Sequence, residues 1–250
     1  MLVVAGCYER EGRGSHGSRA TITRNWPAAG IQLVKVVEVD GSITVEPAQG
    51  SEISLLATAK GDLEIKKGEE NDGLFETELT GDTLRIGRSE RDDRHFDFFF
   101  WDTDQVKIDY VLRVPPTVSL AVTTVNGKIA TRGVDADMKA VTVNGTIDIE
   151  ATGKHELQAS TVNGRVRAKF TESFQGARFK TVNGGVTATL PESASFAVSL
   201  SQVNGDFEAS FPLSIHSNPG SRRVSGEVNG GAHELKITTV NGDVELARLK

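Results

Sequence analysis

From about residue 118 onward, apolar and polar residues alternate with the two-residue period of a β-strand, and the alternation restarts repeatedly at one tripeptide, Val-Asn-Gly. The tripeptide occurs seven times, with Asn at 126, 144, 163, 183, 204, 229 and 241, and the first five are separated by 18, 19, 20 and 21 residues. Leaving Asn229 aside, the position six before each Asn is Leu120, Met138, Leu157, Ala177, Val198 or Leu235, and the position four before is Val122, Ala140, Ala159, Phe179, Leu200 or Ile237. Three after it stand Ile129, Ile147, Val166, Val186, Phe207 and Val244, again all apolar. The intervening position, five before, reads Ala121, Lys139, Gln158, Arg178, Ser199 and Lys236. Each repeat is therefore a strand, an Asn-Gly turn, a second strand and a second turn. Thr124, Thr142, Thr161, Thr181 and Thr239 stand two before the Asn, with Gln202 in the sixth copy.

Asn-Gly readily accepts positive φ, because Gly lacks a Cβ and Asn can bond its own backbone, so the dipeptide predicts a tight turn. Two topologies share the observed phase. In an up-and-down β-meander the turn closes a hairpin. In a β-solenoid, resembling a parallel β-helix, each strand pairs with its counterpart one coil away. Recurrence of identical residues favours the solenoid, because Asn would then stack on Asn and Val on Val. The predicted fold is all-β, a solenoid of about ten coils of 18–21 residues, roughly 50 Å long at the inter-strand spacing of about 4.8 Å.

Three upstream stretches extend the frame: Val39-Asp40-Gly41-Ser42-Ile43, Lys60-Gly61-Asp62-Leu63-Glu64-Ile65 and Gly81-Asp82-Thr83-Leu84-Arg85-Ile86. A strand from Val106 to Val114 fills the interval that follows. Around Asn229 the inward columns hold Arg223 and Ser225, so that copy reads as a loop turn, and residues 212–233 read as one degenerate coil. The abundance of Gly (26) and scarcity of Met (2) suit many tight turns, and no stretch shows helical periodicity.

The net charge of −6, without a Lys/Arg cluster interleaved with aromatics, argues against nucleic acid as a partner. No apolar run reaches the 18 residues of a membrane-spanning helix. The one cysteine excludes an intrachain disulfide. It lies in Val4-Ala5-Gly6-Cys7, which resembles the lipobox of bacterial lipoproteins, where Cys carries the lipid. Tyr8 to about Gly30, rich in Gly, Ser, Arg and Thr, reads as a flexible tether. Only six residues precede Cys7, so this reading places the true start upstream of Met1. Residues 1–30 are thus expected to be a lipobox-like start and tether, and 31–250 a single β-strand-repeat domain.

The recurring Thr-Val-Asn-Gly-x-Ile/Val, Gly-Asp-Thr-Leu-x-Ile at 81–86, Val-Pro-Pro at 114–116 and the closing Thr-Thr-Val-Asn-Gly-Asp-Val-Glu-Leu resemble a bacterial family provisionally named as adhesins, a β-strand-repeat domain of unknown function. The resemblance covers roughly residues 33–250. It implies a β-solenoid displayed outside the cytoplasm, often tethered to the envelope, and transfers no catalytic residue and no cofactor.

Candidate chemistry is sparse. His16, His95, His155, His216 and His233 show no metal-ligand spacing. The acidic pairs Asp92-Asp93, Asp102-Thr103-Asp104 and Asp135-Ala136-Asp137 lack the full ligand series of a Ca²⁺ loop, so no metal is expected. Paired carboxylates do not recur across adjacent repeats as a glycosidase cleft requires. The main departure from the repeat is an aromatic and charged loop at 88–104. Four of the chain's 11 Phe, with Trp101, fall within Arg94–Asp102. Phe98 and Phe100 share one face of an extended segment there and Phe99 and Trp101 the other. They either cap the solenoid or bind a surface glycan or protein. The sequence thus predicts a non-enzymatic, cell-envelope β-solenoid. Its structural turns are Asn126, Asn144, Asn163, Asn183, Asn204 and Asn241, its binding residues Phe98, Phe99, Phe100 and Trp101, and its only membrane link a lipid on Cys7. A carbohydrate-active solenoid enzyme and a self-assembling filament are the alternatives.

Overall fold

The computed structural model describes residues 7–11, 18–61, 75–87, 106–213, 216–217 and 223–249. These residues fold as 22 strands in two 11-stranded sheets, with no helix among them. At each Val-Asn-Gly of the repeat the chain leaves one sheet, here the approach sheet, and enters the other, the exit sheet. Met138–Asn144 lies in the approach sheet and Ile147–Ala151 in the exit sheet. Each pairs in parallel with the equivalent strand one coil away: Ala140 faces Val122 and Ala159, and Ile147 faces Ile129 and Val166. No strand pairs with its successor across these turns, so the arrangement is the β-solenoid and not the meander. The apolar columns read in the sequence line a continuous core between the two sheets.

Seven coils stack, with the strands Thr83–Gly87 and Lys107–Val114 as an eighth layer, roughly 40 Å at the usual inter-strand spacing, and their spatial order departs from chain order at both ends. The coil made by Leu33–Val37 and Ile43–Pro47 sits between the strands Thr83–Gly87 and Lys107–Val114 on one side and the Asn126 coil on the other. The last coil, His233–Asn241 and Val244–Arg248, is inserted between the Asn183 and Asn204 coils. The C-terminal coil is therefore held inside the stack.

The remaining strands close the ends of the sheets and correct three sequence expectations. Lys60 and Gly61 finish the strand Glu52–Gly61, which pairs antiparallel with Lys107–Val114, instead of standing at a parallel corner, and residues 62–65 of that stretch lie outside the described residues. Gly81, at φ 62°, turns an antiparallel hairpin between Glu76–Thr80 and Thr83–Gly87. Arg223–Val228 runs antiparallel to Phe196–Asn204 and carries His216–Ser217 on its outer side, so this segment ends the sheet with antiparallel strands and is not a degenerate coil. Only the Asp40 copy is a true corner, bridged in parallel to Asn126. The tether also ends earlier than expected. Ser18–Pro27 is a ten-residue strand paired with Glu52–Gly61, burying Ala20, Ile22 and Trp26, and Cys7–Glu11 pairs with it in turn.

Candidate binding surface

The corner is built from three layers of the motif. Thr124, Thr142, Thr161, Thr181 and Thr239 are buried, and their hydroxyls donate to the carbonyls of Gly41, Gly127, Gly145, Gly164 and Gly184 in the neighbouring coil at 3.0–3.3 Å. Gln202 replaces Thr in the sixth copy and its amide reaches Gly242 O at 2.8 Å. Six corner carbonyls thus each gain a side-chain donor. The Asn side chains form a directional ladder. Asn126 Nδ2 donates to Asp40 Oδ1, Asn144 to Asn126, Asn163 to Asn144, Asn183 to Asn163, Asn241 to Asn183 and Asn204 to Asn241, all at 2.8–2.9 Å. Every amide donates toward Asp40. A carboxylate, which can only accept, suits that end of the chain, and bonds aligned in one sense polarise one another.

Glycine has a different reason from the one expected. None of the ladder asparagines has positive φ, nor do Gly127, Gly145, Gly164, Gly184 or Gly242. A Cβ on these glycines would lie 1.8–2.0 Å from the backbone oxygen of the corresponding glycine one coil away. The motif thus requires Gly for close stacking. Asn229, at φ 50°, does adopt the left-handed turn conformation and stands outside the ladder, its amide bound to the carbonyls of Glu192 and Ala194.

Outside this corner the motif's Val residues stack as a stripe beside the Asn ladder: Val39, Val125, Val143, Val162, Val182, Val240 and Val203, half-buried to 51% exposed. The two sheet faces differ in charge. On the exit face cations and carboxylates are interleaved. Asp148 lies between Lys128 (2.6 Å) and Arg167 (3.1 Å), Glu46 between Arg113 and Arg132, and Glu150 beside Lys169. Burial pushes the Asp148 carboxyl up, but its bonds to Lys128 and Arg167 outweigh that and hold it below the ordinary range.

At the second corner, Val-Pro-Pro helps to line a cavity of about 270 Å³ with Pro47, Val134, Asp135 and Lys154. Thr152 Oγ1 donates to Asp135 at 2.5 Å, and that bond, with Lys154 nearby, lowers the Asp135 pKa. Glu172 and Asp135 raise that of Lys154. Both shifts move away from neutrality, the wrong direction for a general acid or base working near pH 7. His155 lies 3.6–3.7 Å from Asp135 and Asp137, a clustering that the sequence spacing did not reveal. Among the described residues no group of three or more His, Cys, Asp or Glu is placed to hold a metal ion.

Of the residues singled out in the sequence, Asn126, Asn144, Asn163, Asn183, Asn204 and Asn241 come together in one ladder. Cys7 begins an edge strand. Phe98, Phe99, Phe100 and Trp101 lie outside the described residues. No helix among the described residues is long and apolar enough to cross a membrane.

A two-sheet stack of parallel coils, with antiparallel strands at both ends of the approach sheet and at one end of the exit sheet, defines an all-β, solenoid-type repeat domain. Residues 27–247 match the Toastrack DUF4097 family, and the chain belongs to it. It is similar in fold to a protein of Clostridium sporogenes provisionally named a cell adhesion protein (TM-score 0.52, 8% identity, 92% of this chain and 99% of that one). Weaker similarities reach a provisionally named adhesin of Bacteroides fragilis (0.44, 14%, 90% and 96%) and a provisionally named lipid-binding protein of Parabacteroides distasonis (0.34, 11%, 92% and 97%). No curated protein matches the sequence.

Proposed function

We propose that the protein is a non-enzymatic β-solenoid of the cell envelope, an adhesin or surface scaffold that holds a polymeric partner along its outward columns. The observation that carries this reading is the register of the stack. Equivalent side chains repeat one coil apart in unbroken rows on both faces and along the Asn edge, a geometry that matches an extended partner better than a small molecule. The paired charges of the exit face and the pKa directions at Asp135 and Lys154 favour binding over hydrolysis. Antiparallel strands cover both ends of the approach sheet, and the exit sheet ends at the Asn204 coil in a strand of only three residues, Phe207–Ala209, which disfavours head-to-tail polymerisation into a filament. In this reading Cys7 carries the lipid anchor, and Phe98, Phe99, Phe100 and Trp101 supply an additional contact. An array of glycans and surface proteins probed with the full chain tests it. The expected result is retention of at least one polymer without release of reducing ends, weakened in a Phe99→Ala/Trp101→Ala variant. Shortening of a bound glycan, or retention of nothing, would overturn the proposal.

A further inference from the structure

The approach face carries a row of eight side chains in strict register: Arg85, Lys35, Ala121, Lys139, Gln158, Arg178, Lys236 and Ser199. Five are cations and none is an acid, although Arg178 is paired with Glu234 at 3.1 Å and Glu78 continues the row beyond Arg85. The next row toward the Asn edge, from Val37 through Thr123, Val141, Ser160, Lys180 and Thr238 to Ser201, contains no acid either. Lys35, Lys139, Lys180 and Lys236 form no ion pair among the described residues, whereas Lys128, Arg113, Arg132, Arg167 and Lys169 on the exit face are all paired. In a chain of net charge −6, Lys35, Lys139 and Lys236 in one row and Lys180 in the next form a cationic strip on this face, bordered on the side away from the Asn edge by the carboxylates of Asp137, Glu156 and Glu234.

We infer that the approach face binds a linear anionic polysaccharide, lying across the strands along the solenoid axis. This rests on the envelope-binding reading above and names the chemistry of its partner. Lys35 and Lys139 are two coils apart, as are Lys139 and Arg178, a repeat of about 9.6 Å. That spacing is commensurate with one disaccharide of an extended glycan, so carboxylates on alternate sugars can meet successive cations. Between the cations stand Gln158, Ser160, Ser199, Ser201, Thr123 and Thr238, short donors and acceptors suited to sugar hydroxyls. The two rows hold no aromatic ring on which bases could stack, which separates the face from a single-stranded nucleic-acid platform.

The test uses the full chain with polygalacturonate as the probe, neutral dextran as the uncharged comparator, and phosphatidylglycerol vesicles as a lipid arm. A Lys139→Gln/Lys180→Gln/Lys236→Gln variant is set against Lys128→Gln/Arg132→Gln/Lys169→Gln, which changes net charge equally on the exit face. Thermal melts confirm that both fold. The expected result is polygalacturonate binding that weakens with salt, at least tenfold weaker in the approach-face variant and within about twofold of the parent in the exit-face variant. Equal losses in both variants, no binding of polygalacturonate at low salt, or binding of vesicles alone would overturn the inference. If a neutral polymer on the array is still retained by the approach-face variant, this inference fails while the envelope-binding reading stands. If nothing is retained, both fail.

Discussion

Gly164→Ala is expected to destabilise the protein by about 3 kcal/mol, the upper end of what overpacking costs, and to lower Tm by about 6–12 °C for a chain of this length. The reason lies in the corner. A Cβ at Gly164 would sit 1.9 Å from Gly145 O, and that oxygen belongs to backbone locked into the next coil. Neither partner is the far end of a flexible side chain. To relieve the clash the coils must separate, and separation breaks the Thr161 bond to Gly145 O and the Asn163 bond to Asn144 together. Gly50→Ala is the comparison. No atom lies within 4 Å of a Cβ there, and its φ is not positive, so Ala should be neutral or stabilise by about 0.4–1 kcal/mol through the unfolded chain. Thermal unfolding of the two variants beside the parent checks both. Equal melts would mean that the glycine column is not a packing requirement.

Deleting residues 233–250 should have a larger effect. In a solenoid whose coils follow chain order, removing the last coil merely exposes a new end. Here the last coil lies between the Asn183 and Asn204 coils, so the deletion leaves Phe196–Asn204 without its parallel partner. Leu235, Ile237, Val244 and Leu246 are fully or almost fully buried. At about 1.5–3 kcal/mol each, their loss is on the order of 6–12 kcal/mol, comparable to the whole stability of a typical domain of about 5–15 kcal/mol. Limited proteolysis of the truncated chain should cut within 191–232. Protection of Phe196–Asn204 at the parent's level would argue against the inserted coil.

The columns were legible in the sequence because each is repeated, and repetition separates inward from outward positions. The order of the coils was not. Strands with the same alternation fit equally well beside the Asn183 or the Asn204 coil, and nothing local to His233–Asn241 specifies which. The Lys60 and Gly81 stretches misled for a related reason, since an antiparallel strand over a core alternates just as a coil strand does. Ser18–Pro27 was hidden by Arg24, which occupies an inward position between Ile22 and Trp26. The residue is 8% exposed, and its guanidinium donates to Thr77 Oγ1 at 2.7 Å and lies 5.2 Å from the centre of the Phe75 ring. A polar residue with buried partners reads in a sequence as the end of a strand. The approach-face row appeared in the sequence as the position five before each Asn. Its significance depends on which lysines lack carboxylate neighbours, and that is a property of the stacked sheets alone.

Every row proposed as a binding surface depends on the stack being parallel, in register and ordered 183, 241, 204. Cysteine pairs measure this directly. In a Cys7→Ser background, Asn183→Cys/Asn241→Cys places the two thiols on adjacent parallel strands, about 4.8 Å apart at Cα, within disulfide range. Asn183→Cys/Asn204→Cys joins sites two coils apart, about 9.6 Å and beyond the 7 Å limit. Mild oxidation followed by peptide mapping should find the intramolecular disulfide in the 183/241 pair and none in the 183/204 pair. Cross-linking of 183 to 204 with 241 left free would contradict the coil order and, with it, the continuous surface.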